Sequence, residues 1–194
     1  DFPELWQKLE EMDKKSLRLH SLAARRKMSD IERTICADAI NTKLLKLVND
    51  NYKKTHVYLS KINEPNTYKF LEYALKSNLE VYVPYVINGE MKTSQLHDTN
   101  LRIGTYGIPE PLKKIAVDSN TKYDLIIVPT LAFDLHGNRL GSGKGMYDRF
   151  LENQKSALKV GLCFEINKTI NIPIEDHDIK LDIAITESNI YRFN

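Results

Sequence analysis

The sequence predicts an α/β fold: a single-domain, three-layer α/β/α sandwich over residues 1–194, with a largely parallel central sheet. Three observations predict it. Helix-like and strand-like segments alternate along most of the chain. The run DLIIVPTLAF at 124–133 is almost continuously apolar, the pattern of a strand covered on both faces. A length of 194 residues suits one domain, which buries roughly 70 % of its unfolded surface.

Each element follows from its local pattern. Residues 3–27 read as one long helix, with Pro3 in the first turn and Leu5, Leu9, Met12, Leu19 and Ala23 at three- and four-residue spacing. Ser29 with Glu32 forms a capping box that starts a second helix. Its apolar face reads as Ile31, Ile35, Leu44 and either Leu45 or Val48. HVYLSKI (56–62) reads as a strand that ends at the turn NEPN, TYKFLEYALK (67–76) as a helix, and LEVYVPYV (79–86) as a strand. From Asn88 to Leu112, Gly104, Gly107, Pro109 and Pro111 break the pattern into short strands and loops. After the apolar run, residues 146–157 return to helix, 158–164 to strand and 181–187 to a last strand.

Composition removes several functions. A formal net charge of +2 is too even for a nucleic-acid binder. No apolar run approaches the ~20 residues of a membrane span, and the charged opening DFPELWQKLEEMDKK has no signal-peptide pattern. Asp1 in place of Met leaves room for a trimmed leader, so an organelle stays open beside the cytoplasm, where the chain is expected as a monomer. Cys36 and Cys163 form no CxxC and read as buried free thiols in a reducing compartment.

The charged and glycine-rich stretch FDLHGNRLGSGKGMYDRFL (133–151) closes the apolar strand. In parallel sheets, ligands bind beyond the carboxyl ends of strands. In GSGKG, Gly141, Gly143 and Gly145 alternate with Ser142 and Lys144, so successive amide N–H groups can converge on an anion. The helix starting near Met146 adds partial positive charge, and Arg139 and Lys144 add full charges. These features describe a phosphate cradle. Neither familiar motif fits: Walker A fails at Asn138 and Gly145, and GxGxxG fails at Met146. An ordinary glycine-rich turn with solvated charges is the alternative, and the position between strand and helix favours anion binding. Asp148 is either a first-turn acid that suits the helix dipole or a ligand for Mg²⁺, with a second carboxylate drawn from EDHDIKLD (175–182).

VPTLAFDLHGNRLGSGKGMYDRFL resembles the signature of the 5-formyltetrahydrofolate cyclo-ligase family. KKSLR (14–18), YLSKINEPNT (58–67), YGIPEP (106–111), VGLCFE (160–165) and IPIEDHDIKLDIAITE (172–187) resemble further family elements in order, so the likeness spans nearly the whole chain. The resemblance implies an ATP- and Mg²⁺-dependent ring closure. The formyl oxygen of 5-formyltetrahydrofolate takes the γ-phosphate of ATP, N10 closes the ring, and 5,10-methenyltetrahydrofolate, ADP and phosphate are released.

Carried over by position, the resemblance implies ATP contacts at Lys14, Lys15, Ser16, Leu17 and Arg18, and along Arg139, Leu140, Gly141, Ser142, Gly143, Lys144, Gly145, Met146 and Tyr147. Arg139 and Lys144 would stabilise the transferred group. Folate contacts fall on Leu59, Glu64 and residues 142–146, and the Mg²⁺ ligands on Asp148 and Asp178. Many family members carry Arg where this chain has Ser142 and Tyr where it has Met146, so folate affinity or discrimination is expected to differ from theirs. The histidines form no metal-ligand spacing; His136 reads as an exposed loop residue and His177 as shaping the turn beside Asp178. A folate- or nucleotide-binding protein of the same fold without turnover is the rival reading.

Overall fold

The structure, a computed structural model, describes residues 3–4, 7–8, 12–49 and 51–193. Leu5 and Leu9 of the predicted first helix lie outside these residues. That helix is not continuous to 27. Met12 and Asp13 are non-helical, and a fresh helix α1 runs Lys14–Lys27, with the Asp13 carboxylate accepting from the Ser16 N–H at 2.7 Å. An N-cap aspartate satisfies amides that no preceding turn can serve, so the apolar spacing ran through a real break.

Helix α2 spans Asp30–Leu47 and opens on the expected capping box, Ser29 Oγ accepting from Glu32 N–H and Glu32 Oε2 from Ser29 N–H. Its packing face is Ala37, Ile40, Asn41 and Leu44, while Ile31 and Ile35 face solvent. The expected stripe was therefore wrong in its first half. The buried Asn41 amide explains the shift: it donates to Ala37 O and Asn66 O and accepts from Phe70 N–H, fastening α2 to the next helix. A buried amide with every contact satisfied carries more packing information than the apolar spacing around it.

Strand β1 is Lys54–Val57, shorter than the predicted 56–62. The Thr67 hydroxyl takes the Tyr58 carbonyl at 2.9 Å, which ends the ladder and turns the chain over the sheet. Helix α3 (Tyr68–Lys76) and strand β2 (Glu80–Ile87) follow as expected. The segment expected to be irregular instead begins with a seven-residue strand, β3 (Glu90–Leu96), paired antiparallel to β2. Asn88 and Gly89 make the turn at φ 52° and 76°, the conformation that an Asn-Gly hairpin requires. Short strands β4 (Leu101–Ile103) and β5 (Pro109–Pro111) form a separate ribbon.

The long apolar run divides into β6 (Leu125–Pro129) and β7 (Ala132–Phe133), the latter paired with β8 (Arg139–Leu140). Helix α4 covers only Met146–Glu152 of the expected 146–157. Strands β9 (Leu158–Leu162), β10 (Ile183–Ile185) and β11 (Ile190–Arg192) complete the chain.

The main sheet has seven strands in the order β11-β10-β9-β6-β1-β2-β3. The five inner strands are parallel and both edge strands antiparallel. Side chains alternate across it. Leu125 and Ile127 join Ile40, Leu44, Phe70 and Leu71 of α2 and α3, while Ile126 and Val128 join Leu151 of α4 with Tyr123 and Phe133 on the other face. The predicted three-layer sandwich is the fold observed. Of the two thiols expected to be buried, Cys163 is, and Cys36 stays partly exposed. Counted along the chain, the parallel strands lie in the order 2-1-3-4-5, so the winding reverses between β1 and β6, where a ligand crevice forms.

One core residue makes the fold acid-sensitive. His56 is fully buried between Phe150 and Tyr123, with ring centroids at 4.5 and 5.2 Å, and its Nδ1 has no partner among the described residues. Burial lowers its pKa from 6.5 to about 3. The folded state therefore refuses a proton that the unfolded chain accepts, so stability is full above pH 6.5 and falls as pH drops toward 3. At about 1.4 kcal/mol per pH unit, His56 removes about 2 kcal/mol between pH 6.5 and pH 5. Urea midpoints at pH 7 and pH 5 should show this loss, and His56→Phe should shrink it.

Candidate functional site

A cavity of about 490 Å³ opens at the reversal, beyond the carboxyl ends of β1 and β6. Helix α1 brings Lys14, Arg18 and Arg25 to it, β1 leads into Tyr58, Leu59 and Glu64, and β2 and β3 supply Tyr85 and Met91. The glycine loop from Gly141 to Gly145 closes one wall, with Arg139, Met146, Tyr147 and Asp148 beside it. One side of the cavity is thus cationic and rich in backbone amides, and the other is apolar and aromatic.

The loop holds its shape for steric reasons. Gly143 sits at φ +96°, and a Cβ there would come within 3.2 Å of the Arg18 guanidinium. Arg18 Nε donates to Gly141 O at 3.0 Å, so the helix cation lies along the loop because the loop has no side chains in its way. Gly145, at φ 65°, is the left-handed residue that starts α4.

The charges on this wall are paired with care. Arg139 is buried, its side chain 4 % exposed, under Gly141. It donates to Pro129 O at 3.0 Å and lies 3.6 Å from Asp148 Oδ1, while its Nε has no partner among the described residues. Burial pulls its pKa below the ordinary value, and Asp148 acts against that. Lys14 Nζ donates to Asp178 at 2.5 Å and Glu175 at 2.7 Å. Partial burial would lower the Lys14 pKa, but these hydrogen bonds outweigh it and hold it above the usual lysine value. Burial pushes the Asp178 pKa up, but the hydrogen bonds from Lys14 and the Glu175 N–H, with the Lys14 charge, together outweigh it and hold it below the ordinary carboxylate value. Asp148 Oδ1 accepts from the Ile179 N–H at 3.2 Å, which sets it one residue along the chain from Asp178.

Most residues expected at the site meet here. Lys14, Arg18, Leu59, Glu64, Arg139, Leu140, Gly141, Ser142, Gly143, Lys144, Gly145, Met146, Tyr147, Asp148 and Asp178 all line the cavity. The remaining three do not line it: Lys15 is exposed, Ser16 gives its amide to the Asp13 cap, and Leu17 is buried against Leu131, Ala132 and Leu140. His136 is exposed, as expected. His177 and Glu175 line the cavity and, with Asp178, place one ligand atom each within 4.8 Å of the others. The Tyr147 hydroxyl is buried without a partner among the described residues, and burial raises its pKa well above the usual tyrosine value.

Arg25 was missed. It is 3 % exposed and donates to Asn167 Oδ1 at 2.9 Å, Thr130 O at 2.5 Å, and Leu131 O and Asn63 O at 3.4 Å. It thereby pins the chain leaving β6 to the loop before Glu64. Its signal was present in the spacing, since Lys14, Arg18 and Arg25 fall on one helical face.

Comparison with known proteins places the chain in a family. A model of the 5-formyltetrahydrofolate cyclo-ligase family matches residues 10–187. The 5-formyltetrahydrofolate cyclo-ligase of Haemophilus influenzae is 33% identical over 141 residues, covering 69% of this chain and 75% of that protein. The solved structure of Aquifex aeolicus 5,10-methenyltetrahydrofolate synthetase superposes with a TM-score of 0.81 at 33% identity, covering 94% of each chain. That of a 5,10-methenyltetrahydrofolate synthetase from Mycoplasma pneumoniae gives 0.75 at 25% identity, covering 91% of this chain and 99% of that one.

Proposed function

The chain is an enzyme of the 5-formyltetrahydrofolate cyclo-ligase family, and we propose that it couples ATP cleavage to closure of 5-formyltetrahydrofolate into 5,10-methenyltetrahydrofolate. The observation that carries the ATP requirement is the wall formed by the glycine-loop amides, Lys14, Arg18, Arg139 and Lys144, facing an apolar half of the same cavity. An amide oxygen is a poor leaving group, and phosphorylation converts it into a good one. The formyl oxygen attacks the γ-phosphorus, the bond to the bridging oxygen breaks, and ADP leaves. N10 then attacks the activated carbon and loses its proton, and the carbon–oxygen bond breaks to release phosphate. Such a transfer asks the protein for alignment and charge neutralisation.

The residues divide the work. Arg18 and the amides of Gly141 to Gly145 hold the triphosphate, and Arg139 and Lys144 neutralise the charge on the group in flight. Glu64 accepts from the pterin's N–H donors, while Leu59, Tyr85 and Met146 bracket the flat ring. Asp148 and Asp178 offer hard oxygen donors beside the phosphate wall, which suits Mg²⁺, an ion that takes one or two carboxylates plus phosphate oxygens. When bound there, the ion supplies neutralisation of phosphate charge. Every group this chemistry uses comes from one chain, so a monomer suffices. No described helix is long and apolar enough to cross a membrane. Both cysteines are free, as a reducing compartment such as the cytoplasm keeps them.

The test follows methenyltetrahydrofolate by its near-ultraviolet absorbance, with ATP or Mg²⁺ present or withheld. Signal that needs both is expected. Signal without ATP would refute the coupling, and saturable folate binding with no signal at all would favour the binding protein without turnover.

A further inference from the structure

We propose that Tyr106 is the positioning residue for Lys144, holding its ammonium at the cavity rim until phosphate draws it inward. The inference rests on the reading that Lys144 meets the transferred phosphate. The Lys144 ammonium lies 3.2 Å from the centroid of the Tyr106 ring, which is 49% exposed. Lys144 lines the cavity, and so does Ile108 two residues beyond Tyr106. Among the described residues no carboxylate pairs with Lys144. The aromatic face is what its charge meets.

The backbone is shaped to present that ring. Tyr106 adopts φ 59° and ψ 22°, a left-handed conformation that bulky residues rarely take. Gly104 N–H donates to Ile108 O at 2.9 Å and Ile108 N–H to Thr105 O at 3.2 Å, closing the turn on both sides of the tyrosine. Behind it, Glu110 is only 5% exposed and accepts from Arg102 Nε at 2.9 Å and Lys114 Nζ at 2.8 Å. Gly104 lies so close to Glu110 that a Cβ would approach its carboxyl carbon to 2.5 Å. The YGIPEP element is therefore an anchored strap with a tyrosine at its tip, and Glu110 is its anchor.

The ring is suited to a temporary hold. A half-exposed cation–π contact is weak, whereas a lysine on phosphate gains a full opposite charge with hydrogen bonds. The amine is thus kept near the glycine loop at small cost to its later transfer.

The test uses reductive ¹³C-methylation, which keeps lysines charged, with the Lys144 signal identified by its absence in Lys144→Arg. Tyr106→Asn removes the ring while suiting the left-handed backbone, and Tyr106→Phe keeps the ring. The Lys144 methyl signal should be displaced upfield by ring current in the parent and in Tyr106→Phe, and rejoin the other lysines in Tyr106→Asn. The kcat/KM for ATP of the unmodified protein should fall about three-fold in Tyr106→Asn and recover in Tyr106→Phe. An undisplaced parent signal, an Asn variant that leaves it displaced, or unchanged kinetics in that variant would overturn the proposal. Mg-ATP added to the parent should move the displaced signal. If ATP binds and the signal stays on the ring, the phosphate role of Lys144 fails and the positioning role with it, while the ring contact itself stands.

Discussion

Lys144→Ala is expected to lower kcat about 100- to 1,000-fold without moving the thermal unfolding midpoint. The first half follows from charge. Phosphoryl transfer is carried by positioned cations and amides, and removing one such donor in other enzymes costs about 3–4 kcal/mol of barrier. Arg139 already acts on the same group in the parent, and, fixed at Pro129 O and beside Asp148, it cannot move to the position that Lys144 leaves. Arg18 is held along the loop at Gly141 O. The second half follows from exposure: the Lys144 side chain stands outside the core, and its ammonium lies over the half-exposed Tyr106 ring. Steady-state rates beside a melting curve decide it. A loss below ten-fold would take Lys144 out of the chemistry.

Arg25→Met should do the reverse, removing about 3–5 kcal/mol of stability by urea denaturation. Met approximates the aliphatic stem but leaves the Asn167 amide oxygen and the Thr130 carbonyl without their donor, while Leu131 O keeps only the Cys163 thiol at 3.6 Å. Each buried acceptor left unsatisfied costs about 1–3 kcal/mol. The substitution also strips a guanidinium from the Phe164 ring, 5.6 Å away. An unchanged midpoint would mean that water serves these carbonyls and that the pin is dispensable.

These two residues mark what the sequence made legible. Lys144 sits in a loop whose spacing, between a buried strand and a helix, pointed to an anion from local pattern alone. Arg25 shares a helical face with Lys14 and Arg18, which marks the direction it faces, but what it holds there is not written in the helix. Its acceptors lie at Asn63, Thr130, Leu131 and Asn167, none of them nearby in sequence. The pairing of Asp148 with Asp178 was expected, but its route, through the backbone amide of Ile179, was not legible. The hairpin at Asn88 and Gly89 was readable and was passed over amid the glycines and prolines that follow it. Strand β11 gave no pattern to read, since the edge strand Ile190–Arg192 has no fully buried side chain.

The ion pair between Lys14 and Asp178 joins residues 164 positions apart, and Arg25 reaches Asn167 across 142. During synthesis, then, helix α1 emerges long before these partners and waits. Lys14 does not meet Glu175 and Asp178 until that region clears the ribosome, so an interrupted translation product carries the glycine loop but an unfinished pocket. Folding of so non-local a junction is slow relative to local contacts. Catalytic competence should accordingly appear late and all at once, making turnover itself a signal that the turn holding Asp178 has closed on Lys14.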